Sequence, residues 1–238
     1  ARNESDEDDI LTVPLPTRPV LDMLDDNNSW DGLQAIAEKI PEQFVDLIWP
    51  WFVNTCRALA SLMTAGDDRY FGYPLWFYVD LRFEGEAADG LTPSALLGTI
   101  TFALERMAVE SPAALEKWVN DQEGIEFTPV QRLISHALAH NPARFAKRAL
   151  EYLLADDRRF FLGSHHDSWS TTVQLVEAVS PHWDSTQVAM FTAAVKRYSP
   201  PRPPERNTPE LIKHWSRTVR RTRLAMVRAL PLRARTDD

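Results

Sequence analysis

The sequence predicts an all-α protein made of antiparallel helical hairpins, stacked as a short, degenerate α-solenoid of the HEAT or TPR kind. Three observations lead there. Apolar residues recur with a helical period, most clearly at Val130, Leu133, Ile134, Ala137 and Leu138, then at Phe145, Ala149, Tyr152 and Leu153. An X-Pro junction recurs at Ile40-Pro41, Ser111-Pro112, Asn141-Pro142 and Ser180-Pro181, and proline suits the first position of a helix, where its missing N–H costs nothing. Successive prolines of this set stand 71, 30 and 39 residues apart, which brackets the roughly 30 to 47 residue periods of helical-hairpin repeats. Residues 127–163 form the repeat unit. Its two helices meet at Asn141, whose side chain is expected to cap the second helix by accepting from the free N–H groups there.

Each element has its own warrant. Residues 1–28 read as an acidic, proline-punctuated, mobile arm. The helical body spans 29–198. Ser29 is placed to cap a helix over 30–40 that buries Leu33, Ile36, Ala37 and Ile40. A longer helix over 41–64 carries Pro50 inside it, so a kink or break is expected beside Trp49, Trp51 and Phe52, which fill core. Cys56, the single cysteine, excludes an internal disulfide and reads as a small buried hydrophobe.

Residues 65–91 are the least helical part, with Tyr70, Phe71, Tyr73, Trp76, Phe77, Tyr78 and Phe83 crowded together. They form either a long loop pinned on the core or a local hairpin, and the aromatic group around Tyr70 to Phe77 is a candidate partner-binding patch. Helices resume at Thr92-Pro93, burying Leu96, Leu97, Ile100, Leu104 and Met107. A short helix over 112–120 follows, then the central hairpin, then helices over 169–179 and 184–198. Residues 199–208 are a proline-rich linker, since five prolines within 199–209 cannot continue a helix. The last helix, over 209–230, is basic and amphipathic and caps the array. Its apolar side carries Leu211, Ile212, Trp215, Val219, Thr222, Met226 and Leu230, with Trp215 expected to pack on the preceding pair. Lys213, Arg217, Arg220, Arg221 and Arg228 fall opposite.

A chain of 238 residues with 44% hydrophobic and 25% charged content can bury a sizeable core. No apolar run is long enough for a membrane span and no leader pattern is present, so no membrane association and a cytoplasmic location are expected. The absence of an initiator methionine suggests a piece of something longer. The net charge of −8 conceals an asymmetry. Residues 1–31 hold nine acids against Arg2 and Arg18, whereas 196–235 hold twelve Lys and Arg against Glu205 and Glu210. These are solvated faces, or ends that attract one another.

No candidate catalytic site survives inspection, and no metal or cofactor is expected. His136 and His140 have the i, i+4 spacing of a zinc pair but lack a glutamate base and a third ligand. Ser164, His165, His166, Asp167 and Ser168 are too close in sequence to build a nucleophile, base and orienter from distant segments. Glu84, Glu86 and Asp89 are ordinary in a glycine-flanked loop. With 8 glycines in the chain, no phosphate-binding glycine loop exists.

The succession HALAHNPARFAKRALEYLLADDRRFFLG, then TTVQLVEAVSPHW, then RTRLAMVRALP, resembles the helical-repeat carboxy-terminal region of large bacterial STAND NTPases of the NACHT-like kind, many of them antiphage sensors. The likeness covers roughly residues 35 to 230. It implies a sensing or scaffolding array without its nucleotide-switched motor, for none of that family's nucleotide-binding residues has a counterpart here. Two function classes follow. The first is a non-catalytic protein-interaction scaffold, whose partner is another protein or the remainder of its own polypeptide. The alternative is a nucleic-acid-binding module that uses Arg217, Arg220 and Arg221 of the basic helix.

Overall fold

A computed structural model of the chain describes residues 31–64, 95–163, 169–199 and 208–232. The acidic arm, the aromatic segment with Tyr70, Phe71, Tyr73, Trp76 and Phe77, the Ser164 to Ser168 group, and most of the linker lie outside them. All regular structure among the described residues is helical. The helices are α1 (Asp31–Lys39), α2 (Pro41–Thr64), α3 (Ala95–Glu110), α4 (Pro112–Gln122), α5 (Thr128–His140), α6 (Pro142–Ala155), α7 (Ser170–Val179), α8 (Ser185–Arg197) and α9 (Pro209–Ala229). Two 3-10 turns, Asp157–Phe161 and Ser180–His182, bracket α7. No helix among the described residues is long and apolar enough to cross a membrane.

Proline sets four of these starts, at Pro41, Pro112, Pro142 and Pro209. At α5 the proline comes second, after Thr128. The Ser180-Pro181 junction makes only a 3-10 turn, in keeping with the next helix being expected over 184–198. The helix begins later, at a reciprocal capping box in which the Asp184 carboxylate accepts from Gln187 N–H while the Gln187 side chain accepts from Asp184 N–H. Of the kink or break expected at Pro50, the break does not occur: α2 runs on through it, with Pro50 exposed.

The helices pack in two rows. α1 lies against α3, α3 against α5, α5 against α7, and α7 against α9. On the other side α6 lies against α8, and α2 meets α4 through Trp49 and Trp118, whose rings cross edge to face at 4.7 Å. Gln122 Oε1 accepts from Trp49 Nε1 at 2.8 Å in the same contact. One continuous core results, running from Ala37 to Leu230. Val130, Leu133, Ile134, Ala137 and Leu138 are wholly buried, as are the five apolar residues expected on α3. Trp49, Phe52 and Cys56 fill core as the sequence predicts.

At α1 the expected apolar stripe is only partly used. Ala37 is buried, but Ile36 and Ile40 remain 45% and 46% exposed; among the described residues the helix packs chiefly on α2 and α3. At the other end, Trp215 is half-buried, and α9 is anchored instead by Thr222, Met226, Ala229 and Leu230.

Asn141 does not cap α6. Its side chain makes no capping bond; Nδ2 instead donates to the Ala108 carbonyl at 2.8 Å. The cause lies 33 residues away. The carbonyl of Ala108, near the end of α3, would ordinarily accept from the N–H four residues on, and that residue is Pro112, which has none. The amide of the next hairpin fills the vacancy.

Candidate functional site

Gln131, Tyr152 and Arg159 inside the body serve in such stitching. In α5, Gln131 Nε2 donates to the carbonyls of Glu123 (3.0 Å) and Ile125 (2.7 Å), and Gln131 Oε1 accepts from the Tyr152 hydroxyl at 2.8 Å. Arg159 is buried in the 3-10 turn after α6. Its Nη1 donates to Tyr152 O at 2.5 Å and its Nη2 to Glu123 O at 2.8 Å, while the guanidinium carbon stands 4.0 Å from the centre of the Tyr152 ring. Burial pushes the Tyr152 phenol well above its ordinary range, with Arg159 opposing only in part. A hydroxyl so placed is a fixed donor and not an acid–base group. Burial raises the Asp156 carboxyl, but the bonds it accepts from the Arg158 side chain and N–H outweigh that and hold it below the usual carboxylate value. Together these residues tie the loop after α4 to the end of α6. Sequence reasoning missed them, because each reads as an ordinary surface polar residue until its neighbours are known.

Two features stand out on the surface of the described residues. Between α4 and α6 a pocket of about 250 Å³ is lined by Glu116, Arg144, Phe145, Lys147, Arg148 and Glu151. Its charges answer one another: Arg144 reaches Glu116 at 3.2 Å, Arg148 reaches Glu123 at 2.6 Å and Lys147 reaches Glu151 at 3.7 Å. His140 stands 3.7 Å from Glu105. No group of three His, Cys, Asp or Glu side chains that could hold a metal is found among the described residues.

The second feature is α9. Glu210 in its first turn and Arg228 in its last suit the helix dipole, and between them the helix has no acid. Lys213, Arg217, Arg220, Arg221, Leu224 and Arg228 are all exposed. At 100° per residue they fall within about a third of the circumference, opposite Thr222 and Met226, so they form one stripe about 22 Å long. Among the described residues, Lys213, Arg217, Arg220 and Arg221 form no ion pair, unlike Arg144, Arg148 and Arg158 in the body. Arg223, off the stripe, is used structurally: Nε and Nη2 donate to the Tyr198 carbonyl at 3.0 and 2.6 Å, closing the end of α8. The three arginines singled out from the sequence thus lie together.

Comparison with protein-family models, with curated proteins and with solved structures gives no match for this chain.

Proposed function

We propose that this chain is a non-catalytic protein-interaction module, an α-solenoid of degenerate helical hairpins serving as the sensor or scaffold region of a larger bacterial STAND NTPase of the defence type. The alternating contacts of the two rows support the solenoid reading, since each hairpin buries its apolar faces against the next. The observation that carries the interaction reading is the α9 stripe. Arg144, Lys147, Arg148 and Arg158 on the body each meet a carboxylate, whereas four cations on α9 stand together with no ion pair among the described residues, which is the electrostatic form of a face for an anionic partner. The buried Gln131, Tyr152 and Arg159 are engaged by backbone carbonyls and by one another.

The same stripe favours a second reading, binding of nucleic acid. Charge distribution weighs against it: residues 1–195 carry 30 acids and 14 bases, an excess of 16 negative charges that repels a free polyanion. The two readings separate on titration of a labelled duplex and a labelled single strand at low salt. A dedicated nucleic-acid face of four cations gives submicromolar affinity with a log–log salt slope of about −4, lost when Arg217, Arg220 and Arg221 are all changed to alanine. That result would replace the protein-interaction reading. Weak binding to both strands, with an acidic protein segment binding the wild type and not the triple variant, supports it.

A further inference from the structure

We infer that the α9 stripe is the docking site of the chain's own amino-terminal acidic arm. This rests on the reading of the stripe as a protein-binding face and names its occupant. The arm carries its carboxylates in two clusters, Glu4, Asp6, Glu7, Asp8 and Asp9, then Asp22, Asp25 and Asp26, and each adjoins apolar residues, Ile10-Leu11 and Met23-Leu24. The stripe has the complementary order. Lys213, Arg217, Arg220 and Arg221 lead to Leu224, which is 44% exposed among the cations, and then to Arg228.

Lengths agree as well. Six extended residues, 4–9, span about 20 Å, close to the length of the stripe. The arm leads into α1 at one end of its row, and α9 lies at the other, four helix spacings away or about 32–40 Å. Residues 10–30 can extend to about 70 Å, so the arm reaches α9 of its own molecule. Tethering then supplies an effective concentration in the millimolar range. A free polyanion has no such advantage against the acidic body. The docked arm covers the basic stripe of α9.

The test uses the full chain with Ser5→Cys carrying a nitroxide; Cys56 is wholly buried and takes no label. At about 20 mM salt, where screening is weak, the amide signals of residues 213–228 are expected to lose more than half their intensity. They recover at about 0.5 M salt, and recover likewise when Arg217, Arg220 and Arg221 are changed to glutamate. Neutralising the arm (Asp6→Asn, Glu7→Gln, Asp8→Asn, Asp9→Asn) is expected to raise duplex affinity by about fivefold or more by uncovering the stripe. Full intensity at low salt overturns the proposal. So does broadening that appears only when a spin-labelled, isotopically silent copy is mixed with an unlabelled observed copy, which assigns the contact to two molecules. If the arm is absent from the stripe while a free acidic peptide still saturates it, the arm proposal fails and the protein-binding reading stands. If only duplex binds, both fail.

Discussion

Replacing Asn141 separates two roles that the sequence alone confuses. As an N-cap, Asn141 would act through its side-chain oxygen, and Asp would replace it without loss. In the structure it acts through Nδ2, donating at 2.8 Å to a carbonyl whose backbone donor Pro112 cannot supply. Ala108 is wholly buried and Asn141 is half-buried. Asn141→Ala therefore leaves an acceptor largely hidden from water. Such a loss costs about 1–3 kcal/mol, and partial access for water at position 141 puts it near 1–2 kcal/mol. For a chain of this size that lowers Tm by about 3–6 °C. Asn141→Asp keeps size and capping ability but turns a carboxylate toward a carbonyl oxygen, so it is expected to cost more, about 3 kcal/mol at neutral pH. The carbonyl raises the folded-state pKa of that new carboxyl above its unfolded value. The deficit is thus complete at neutral pH and shrinks as acid protonates the group, which can then donate. Urea unfolding followed by far-UV circular dichroism, read as a change in midpoint at constant slope, measures both variants. An aspartate variant as stable as wild type at pH 7 would refute the stitch and restore the cap.

Three further outcomes follow from the interior. Leu138→Ala, at a wholly buried position in α5, is expected to lower unfolding free energy by about 2–5 kcal/mol in the same assay. Tyr152→Phe leaves Gln131 Oε1 without the hydroxyl now 2.8 Å away, for a cost of about 1–2 kcal/mol; an unchanged urea midpoint would show that this bond adds nothing. The Cys56 thiol is pushed up to about 12 by burial, so at pH 8 a thiol reagent is expected to modify it only as fast as α2 opens, with the rate rising steeply in urea. Complete labelling within minutes in native buffer would contradict its burial.

Much of the helical architecture could be read directly, because amphipathic period and proline position are local properties. Val130, Leu133 and Ile134 announce their face within a single helix, and Pro112 or Pro142 announces a start regardless of what lies nearby. What escaped is non-local. Asn141 is bonded across 33 residues to a carbonyl left open by a different proline. Gln131, Arg132 and Ser135 are polar yet buried, since α5 packs against α3, α4, α6 and α7 and every residue from Thr128 to Ser135 is buried; a two-sided pattern cannot express that. Ile36 and Ile40 fail in the opposite sense, apolar residues at a helix whose main neighbours among the described residues are α2 and α3. On α9 the charge stripe was legible because nothing opposes it locally, whereas its anchor shifted from Trp215 toward Met226 and Leu230, where α7 and α8 lie.

The enclosure of α5 also fixes how the molecule opens. A terminal helix can detach by releasing its contacts on one flank, so deuterium would enter the amides of α1 and α9 through small, frequent excursions. For α5 to expose its amides, both flanks must give way together. Exchange there therefore reports the free energy of disrupting the whole body, and exchange at either end reports only the docking of that end.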